Sequence, residues 1–321
     1  MSYQVSTHFK PAPGALGPNP RRRPDQGLEK RLLQKTGQAI ARFNLIEERD
    51  RILVCLSGGK DSFAMLHALQ LLQRRAPVSF ELVACNLDQG QPGFPAAQLE
   101  SYLREQNVET ALLYEDTYRV VQRLVPEGKT TCSVCSRLRR GVLYRAAREL
   151  GCTKLALGHH RDDLIESLLL SMLFTGKTRT MPPKLRSIDG QSTVIRPLCT
   201  VAEADLAAFA ESAAFPIIPC NLCGSQEDLQ RKKVKKLLDD LDREGGREGG
   251  VRESLFAAMG NVMPAHLLDA RLYAGLDAGL AGGPVGKDPW LDEGGPDDAC
   301  ATPHGAPLAP LQLGRLREVA R

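Results

Sequence analysis

The sequence has no uninterrupted apolar stretch of about 20 residues, the length that a membrane-spanning helix requires. Its first 26 residues also lack the apolar segment of a secretory signal and are rich in proline and arginine instead. These absences favour a cytoplasmic protein without a membrane anchor. In such a protein, the nine cysteines indicate thiols, metal binding or catalysis rather than a disulfide framework.

Charge of one sign is not in large excess, since 42 Lys and Arg residues face 38 Asp and Glu residues, a net charge of +4. The excess is uneven: residues 1–244 carry a net +7 and residues 245–321 a net −3. Each basic cluster alone is compatible with a solvated helix face, but three clusters together favour a polyanionic partner. The clusters are RRR at 21–23, RLRR at 137–140 and RKKVKK at 231–236.

The pattern of apolar residues predicts strands that alternate with helices. This alternation is typical of a doubly wound α/β fold, in which helices cover both faces of a parallel sheet. The predicted strands lie at 51–56, 80–87, 108–114, 153–158 and 193–198. The predicted helices lie near 28–48, 61–75, 95–106, 137–150, 161–174, 202–213 and 225–243, with a helical pair at 251–274.

Composition divides the chain further. Residues 245–321 hold 14 of the 29 glycines and 7 of the 21 prolines, too much of both for a second packed core. We expect a flexible basic lead-in at 1–26, a nucleotide-binding domain with a cysteine site at 27–244, a helical extension at 245–277 and a disordered tail at 278–321.

The stretch SGGKDS at 57–62 joins the predicted strand 51–56 to a helix. It has neither the spacing of a Walker A loop nor that of a Rossmann motif. A glycine-rich turn at a helix N-terminus presents free N–H groups to phosphate, although a turn with incidental polar residues is the alternative. We expect Lys60 to neutralise phosphate charge and Asp61 to hold Mg²⁺. The residues assigned to ATP here are Ser57, Gly58, Gly59, Lys60, Asp61 and Ser62.

Two more predicted strands end in polar residues. Asp88 follows one apolar run, and GHHRDD at 158–163 follows another. Ligands in open α/β sheets bind beyond the carboxyl ends of strands, so we expect Asp88, Gly158 and Asp162 to join the ATP site. The alternative for Asp162 and Asp163 is that they are carboxylates favoured by the dipole of the helix that they begin.

Four cysteines form two C-x-x-C pairs, Cys132 with Cys135 and Cys220 with Cys223. Two such pairs can complete a tetrahedral metal site, and spacing alone does not separate zinc from an iron–sulfur cluster. Four further cysteines lie in or beside apolar strands and are expected to be ordinary buried residues: Cys55, Cys85, Cys152 and Cys199.

These motifs together resemble a known family. SGGKDS after a strand is similar to the PP-loop of the N-type ATP pyrophosphatases, which cleave ATP between the α- and β-phosphates. With CSVCSRLRRGVLY, GHHRDD and PIIPCNLCGSQEDLQR, the chain resembles the TtcA family of ATP-dependent tRNA 2-thiocytidine synthetases from about residue 28 to about residue 275. The resemblance implies an adenine nucleotide α-hydrolase-like fold and a [4Fe–4S] cluster held by Cys132, Cys135 and Cys223, with Cys220 less certain.

The resemblance also implies a reaction. The enzyme would adenylate the 2-oxo group of cytidine 32 in the tRNA anticodon loop and replace the oxygen with sulfur supplied by a cysteine desulfurase. Lys60, Asp61 and Cys220 would be catalytic, and a homodimer is compatible with the sequence. Five basic residues would contact the tRNA: Arg137, Arg139, Arg140, Lys177 and Arg179.

Other functions use similar sequence features. A PP-loop sulfurtransferase that forms 2-thiouridine would share the cleft and the cluster. A zinc-stabilised tRNA-binding module would bind RNA without consuming ATP. An amidotransferase-type synthetase would also adenylate its substrate, but the chain has no glutaminase segment.

Overall fold

A computed structural model describes residues 3–11, 18, 23–125, 132–187, 190–218, 229–244, 250–263 and 266–268. The strands within these residues are β1 Gln4–Phe9, β2 Asp50–Leu56, β3 Phe80–Asp88, β4 Glu109–Tyr114, β5 Lys154–Ala156, β6 Lys184–Arg186 and β7 Thr193–Ile195. The helices are α1 Gln26–Arg42, α2 Lys60–Gln73, α3 Ala96–Arg104, α4 Thr117–Leu124, α5 Cys132–Glu149, α6 Arg161–Thr175, α7 Glu203–Ala213, α8 Leu229–Glu244 and α9 Gly250–Met259.

The strands form one sheet in the order β1-β4-β3-β2-β5-β7-β6. The five inner strands are parallel, and the edge strands β1 and β6 pair antiparallel to their neighbours. The chain moves outward in one direction from β2 to β3 and in the other direction from β2 to β5. The predicted doubly wound fold is therefore confirmed, and its topological switch point lies between β2 and β5, where such folds bind ligands.

Alternate residues of the inner strands build two separate cores, one on each face of the sheet. On one face α1, α2, α3 and α7 pack on side chains such as Ile52 and Val54 of β2, with Phe63 at the centre. On the other face α5 packs on Leu53 and Cys55. This period-two pattern of full burial on both faces is characteristic of a strand in a covered parallel sheet.

The amino-terminal segment departs from the prediction. A flexible lead-in was expected at 1–26, but Gln4–Phe9 form β1, which pairs antiparallel with β4. The strand is half exposed and its partner is about 100 residues away, so no local hydrophobic run marks it. Two short elements, α4 and β6, were also not predicted, and α5 begins at Cys132 rather than at 137.

The contacts divide the chain into two units, Met1–Gly260 and Asn261–Arg321. In the second unit only residues 261–263 and 266–268 are described, so the predicted tail at 278–321 lies outside the described residues. Of the helical pair expected at 251–274, the structure describes α9. The four predicted domain boundaries stay predictions. Among the described residues, no helix is long and apolar enough to cross a membrane.

An ion-pair network joins the amino-terminal ends of β2, β3 and β4 to His8 near the carboxyl end of the antiparallel strand β1. Arg51 of β2 donates two hydrogen bonds of 2.8 Å to the carboxylate of Glu109 in β4, and His8 of β1 lies 2.8 Å from the same carboxylate. Burial alone would raise the pKa of Glu109, but the hydrogen bonds to His8 and Arg51 outweigh burial and lower it below its usual value. Arg51 also pairs with the exposed Glu81 of β3.

We expect Glu109→Gln to lower the free energy of unfolding by about 1.5–3 kcal/mol at pH 7, because a charge-assisted, largely buried pair is lost. Glu81→Gln is the matched control, since Glu81 contacts the same arginine but is exposed, and it should cost about 1 kcal/mol or less. Denaturant unfolding measures both variants.

The contribution of Glu109 to the free energy of unfolding depends on pH. Because the pKa of Glu109 is lowered on folding, its contribution is complete above the unfolded value of 4.5 and disappears as the pH falls through the folded value. The difference between the wild type and Glu109→Gln should therefore shrink in acid. A difference that is constant from pH 7 to pH 3 would contradict this assignment.

Candidate nucleotide and cysteine site

The SGGKDS turn lies where β2 ends and α2 begins, at the switch point of the sheet. Gly58 has φ +84°, a conformation that glycine adopts without strain. The Ser62 hydroxyl donates to the Gly59 carbonyl at 2.8 Å, and the Gly59 N–H donates to the Ser57 hydroxyl at 3.4 Å. The turn is thus held by its own serines, and α2 begins within the motif at Lys60, with its first-turn N–H groups facing the switch point.

The turn is tied to a distant part of the chain. The N–H of Ile218 donates to the carbonyl of Gly58 at 2.9 Å. A Cβ atom on Gly58 would lie 2.6 Å from Cδ1 and 2.9 Å from Cβ of the Ile218 side chain. Only glycine therefore allows this approach. Ile218 precedes Cys220 by two residues in the sequence, so this contact brings the segment before the second cysteine pair to the turn.

Lys60 and Asp61 form an ion pair at the start of α2. Lys60 Nζ donates to Asp61 Oδ2 at 3.2 Å and lies 3.5 Å from Glu203 Oε1, at the start of α7. Asp61 Oδ1 is 3.1 Å from the same nitrogen, but this oxygen is buried and accepts no hydrogen bond from the described residues. Glu203 also pairs with Lys235 of α8. Burial alone would raise the pKa of Glu203, but Lys235 and Lys60 outweigh it and lower the pKa.

The GHHRDD segment lies against the turn, as predicted. A Cβ atom on Gly158 would lie 3.3 Å from the backbone nitrogen of Ser62, so the absence of a side chain permits the approach. His160 and Asp163 form a reciprocal cap at the start of α6: the Asp163 carboxylate accepts from the His160 N–H at 3.0 Å, and the His160 ring accepts from the Asp163 N–H at 3.4 Å. For Asp163 the alternative of a helix-start carboxylate is therefore the observed one.

Asp162 is buried, and both of its carboxylate oxygens have protein partners. Oδ2 accepts from the backbone N–H of Glu203 at 2.8 Å, and Oδ1 lies 3.2 Å from Arg252 of α9. These contacts hold the start of α7, and with it Glu203, against α6. That Asp162 binds ATP directly stays a prediction, and the observed contacts give it a positioning role.

The loop after β3 brings the first cysteine pair to the same edge of the sheet. Asp88 ends β3, and its carboxylate accepts from the N–H of Gly90 at 2.8 Å. The thiol of Cys135 donates to Oε1 of Gln89 at 3.2 Å. Cys132 is the first residue of α5. The start of α5 therefore lies at the carboxyl edge of the sheet, beside the end of β3. This strand is the neighbour of β2, which leads into the SGGKDS turn.

The remaining predicted site residues are five basic residues, in two groups, and the second cysteine pair. Arg137, Arg139 and Arg140 are exposed on α5, close to Cys135 in the sequence. Lys177 and Arg179 are exposed after the far end of α6, a helix of about 22 Å, so the structure does not bring them to the turn. Cys220 and Cys223 lie outside the described residues.

The four other strand cysteines are buried as predicted. Burial raises the pKa of Cys55 to about 12, raises that of Cys85 and raises those of Cys152 and Cys199 to about 11, so all four are protonated thiols at neutral pH. Within the part of the chain that the structure describes, no group of three or more His, Cys, Asp or Glu side chains has metal-site geometry.

Sequence reasoning missed several residues of the site. Glu203 pairs with Lys60, and Arg252 pairs with Asp162. The side-chain amide of Asn86, in β3, donates to the carbonyl of Leu56 at 2.8 Å, directly before the turn. None belongs to a motif, and each gains its role from a partner that is distant in the sequence.

The comparisons with known proteins fit this geometry. The profile of the PP-loop domain family matches residues 28–218. A tRNA-cytidine(32) 2-sulfurtransferase of Anaeromyxobacter dehalogenans (strain 2CP-C) is 58% identical over 280 residues, which are 87% of this chain and 93% of that protein. The chain belongs to this family. The protein of the same name from Aeromonas salmonicida (strain A449) is 54% identical over 284 residues, which are 88% of this chain and 90% of that protein.

A solved structure supports the fold. The U34-tRNA thiolase NcsA from Methanococcus maripaludis, solved with its [4Fe–4S] cluster, superposes with a TM-score of 0.56 over 73% of this chain and 78% of its own. At 22% sequence identity, this likeness concerns the fold alone. The family that the four motifs indicate is thus confirmed by sequence, and its PP-loop fold by structure.

The close approach at Gly58 leads to a test. Gly58→Ala should lower the free energy of unfolding by about 2–4 kcal/mol, because it adds strain at a positive φ and a clash with Ile218. Gly93→Ala is the matched control: its φ is +76°, but a Cβ atom there meets nothing within 4 Å, so about 1–2 kcal/mol is expected. Denaturant unfolding compares them, and equal losses would mean that the Ile218 contact carries no weight.

Proposed function

We propose that this protein is an ATP-dependent tRNA sulfurtransferase that converts cytidine 32 of the anticodon loop into 2-thiocytidine. The observation that carries the proposal is the hydrogen bond from Ile218 to Gly58, which joins a phosphate-binding turn to the segment leading into Cys220. Two peptide units span at most about 7 Å. A reactive sulfur and an activated phosphate can thus share one site.

The turn binds ATP. Its backbone N–H groups and the dipole of α2 face the phosphates, and Lys60 moves from its acidic partners to the pyrophosphate as charge develops there. Asp61 would hold Mg²⁺, and its buried oxygen Oδ1, which accepts no hydrogen bond, fits that role. Asp88, Gly158 and Asp162 complete the walls of the nucleotide site.

The two steps at the nucleobase involve no change of oxidation state when the sulfur is at the level of sulfide. Sulfur carried as a persulfide on Cys220 needs two electrons as well, from a thiol reductant that is oxidised to a disulfide. The 2-oxo group of cytosine is a poor leaving group, so its oxygen first attacks the α-phosphorus of ATP and pyrophosphate leaves. Sulfur then attacks C2, and the C2–O bond breaks to release AMP with that oxygen. Lys60 and the N–H groups of the turn stabilise the departing pyrophosphate.

The cysteines would hold a [4Fe–4S] cluster through Cys132, Cys135 and Cys223. The position of Cys135 supports a role as a cluster ligand. Its thiol is half-buried at the carboxyl edge beside Gln89, away from the buried strand cysteines, whose thiols are protonated. When bound, the cluster supplies soft iron sites with affinity for sulfur. Cys220, two residues after Ile218 in the sequence, is the residue that we assign to sulfur transfer.

The proposal also covers tRNA binding, the sulfur donor and the cellular compartment. The anticodon loop is single-stranded, so its bases can be splayed into a site, and exposed basic residues would contact its backbone. They are Arg137, Arg139, Arg140, Lys177 and Arg179. A cysteine desulfurase supplies the sulfur, the enzyme works in the cytoplasm, and a homodimer stays a prediction.

The ATP site is tested by Lys60→Ala and Asp61→Ala, which should each lower the rate of ATP-dependent tRNA thiolation roughly 10²–10³-fold, since each removes one charged group from the phosphates. Lys35→Ala is the control, because Lys35 also forms a lysine–carboxylate pair, 3.0 Å from Asp205, but on α1. Mass spectrometry of the nucleosides from digested tRNA measures the product.

Both variants should keep the far-ultraviolet circular dichroism of the wild type. Full thiolation by either variant would exclude the turn as the ATP site. A wild-type product of 2-thiouridine in place of 2-thiocytidine would replace the proposed substrate with the related one.

The cysteines are tested by anaerobic reconstitution with iron and sulfide. Cys132→Ala, Cys135→Ala and Cys223→Ala should each lose the brown chromophore, whereas Cys220→Ala should keep the cluster and lose thiolation. Cys55→Ala, a change in the core, controls for general loss of structure. Iron and sulfide assays give the occupancy.

Four equal losses of iron would contradict a three-cysteine site. Zinc in the purified wild type, with no colour at any stage, would favour a structural metal. Retention by Cys223→Ala and loss by Cys220→Ala would exchange the roles of these two residues.

A further inference from the structure

Arg196 lies at the carboxyl edge of the sheet, directly after β7. The register pairs Ile195 with Ala156 of β5, and the N–H of Leu157 donates to the Ile195 carbonyl at 3.0 Å. Arg196 therefore sits beside Leu157, at the end of β7, which is the neighbour of the switch-point strand β5. Ile195 contributes to the core under α2, so the following residue projects to the opposite face, where α5 packs.

The Arg196 side chain is a buried positive charge that has no carboxylate partner among the described residues. It is only 7% exposed, and its Nη1 donates to the Pro182 carbonyl at 2.5 Å. Its buried Nε has no hydrogen-bond partner in the part of the chain that the structure describes. Burial lowers its pKa, and the groups that face it are Tyr144, Cys199 and another cation, Arg140. A buried guanidinium that lacks an anion is costly, so a fold retains one where an anion arrives.

A second unsatisfied group lies close to it. Nδ1 of His159, two residues after Leu157, is buried and has no hydrogen-bond partner within the described ranges. Burial and the charge of Arg196 lower the pKa of His159 to about 4, and Arg139 and Arg231 add to the effect against the opposing charge of Asp163. The imidazole is thus neutral at pH 7 in a positive field. Of these arginines, Arg231 is offset by carboxylates of α6, whereas Arg196 is not.

We propose that Arg196 and His159, with Arg139 and Arg140 of α5 at the rim, form a second phosphate-binding site, separate from the SGGKDS turn. The guanidinium supplies charge and a planar set of donors, and the neutral imidazole supplies one donor or acceptor. The site lies beside the helix that begins at Cys132. This inference rests on the proposed function, which supplies two sources of phosphate: a phosphodiester of the tRNA next to the target base, or the nucleotide.

The test compares Arg196→Gln with Arg186→Gln, an exposed arginine on the neighbouring strand β6. Affinities of the full-length protein for ATP and for unmodified tRNA are measured separately at one salt concentration. Arg196→Gln should lose about 10-fold or more in affinity for one of the two ligands, and Arg186→Gln less than about 2-fold for either. Loss for tRNA alone assigns a phosphodiester, and loss for ATP alone assigns the nucleotide.

Unfolding in phosphate-free buffer separates a ligand site from a structural role. Removing an uncompensated buried charge should leave the midpoint of denaturant unfolding unchanged or raise it, whereas a purely structural arginine would lower it. If Arg196→Gln does not fold, Arg140→Gln replaces it as the test, because Arg140 is exposed and faces the same guanidinium. This variant should lower the affinity for tRNA or for ATP about 3-fold or more. Wild-type affinity for both ligands in the variant that folds would overturn the inference.

Refutation of the second phosphate site and refutation of the proposed function would give different results. A wild type that forms 2-thiocytidine, with both affinities unaffected in Arg196→Gln, would refute the second phosphate site alone. A wild type that forms no thionucleoside would refute the proposed function, while the two affinities still report on Arg196.

Discussion

The positive φ of Gly58 is the constraint on which the site depends. It turns the chain sharply at the end of β2, and the missing side chain lets Ile218 pack within van der Waals contact and donate a hydrogen bond to the turn. One residue thereby aligns two functions, because the N–H groups of the turn remain available to phosphate while the chain that leads to Cys220 is held beside them. A parallel sheet places the ends of β2 and β5 side by side, so the remaining walls follow from topology.

Around this turn, buried charges connect elements that are far apart in sequence. Asp162 accepts from the first N–H of α7 and pairs with Arg252, while Glu203 at the same helix start pairs with Lys60 and Lys235. The helices α8 and α9 lie beyond residues 28–218, the range of the PP-loop domain, yet they contact its charged groups. The domain and its following helices therefore form one electrostatic unit around the SGGKDS turn.

The sequence was sufficient for features that depend on local pattern. The turn, the inner strands and the burial of Cys55 follow from spacing, hydrophobic runs and glycine chemistry. It was not sufficient where tertiary partners decide: β1 is a half-exposed edge strand with a distant partner, and Arg196 became notable only through its burial without a carboxylate. Asp162 shows the limit most clearly, because a carboxylate at a helix start has the same sequence signature whether it contacts ligand or protein.

Activation of the nucleobase oxygen by transfer of AMP, at the turn, is the step on which the proposed function depends. It is tested most directly with tRNA that carries oxygen-18 at position 2 of cytidine 32, in a single turnover with ATP and a sulfur source. The heavy oxygen should leave in AMP, because the oxygen bonded to the α-phosphorus is the one that departs from C2. Heavy oxygen in water, with unlabelled AMP, would contradict adenylation of the base and with it the role assigned to the turn.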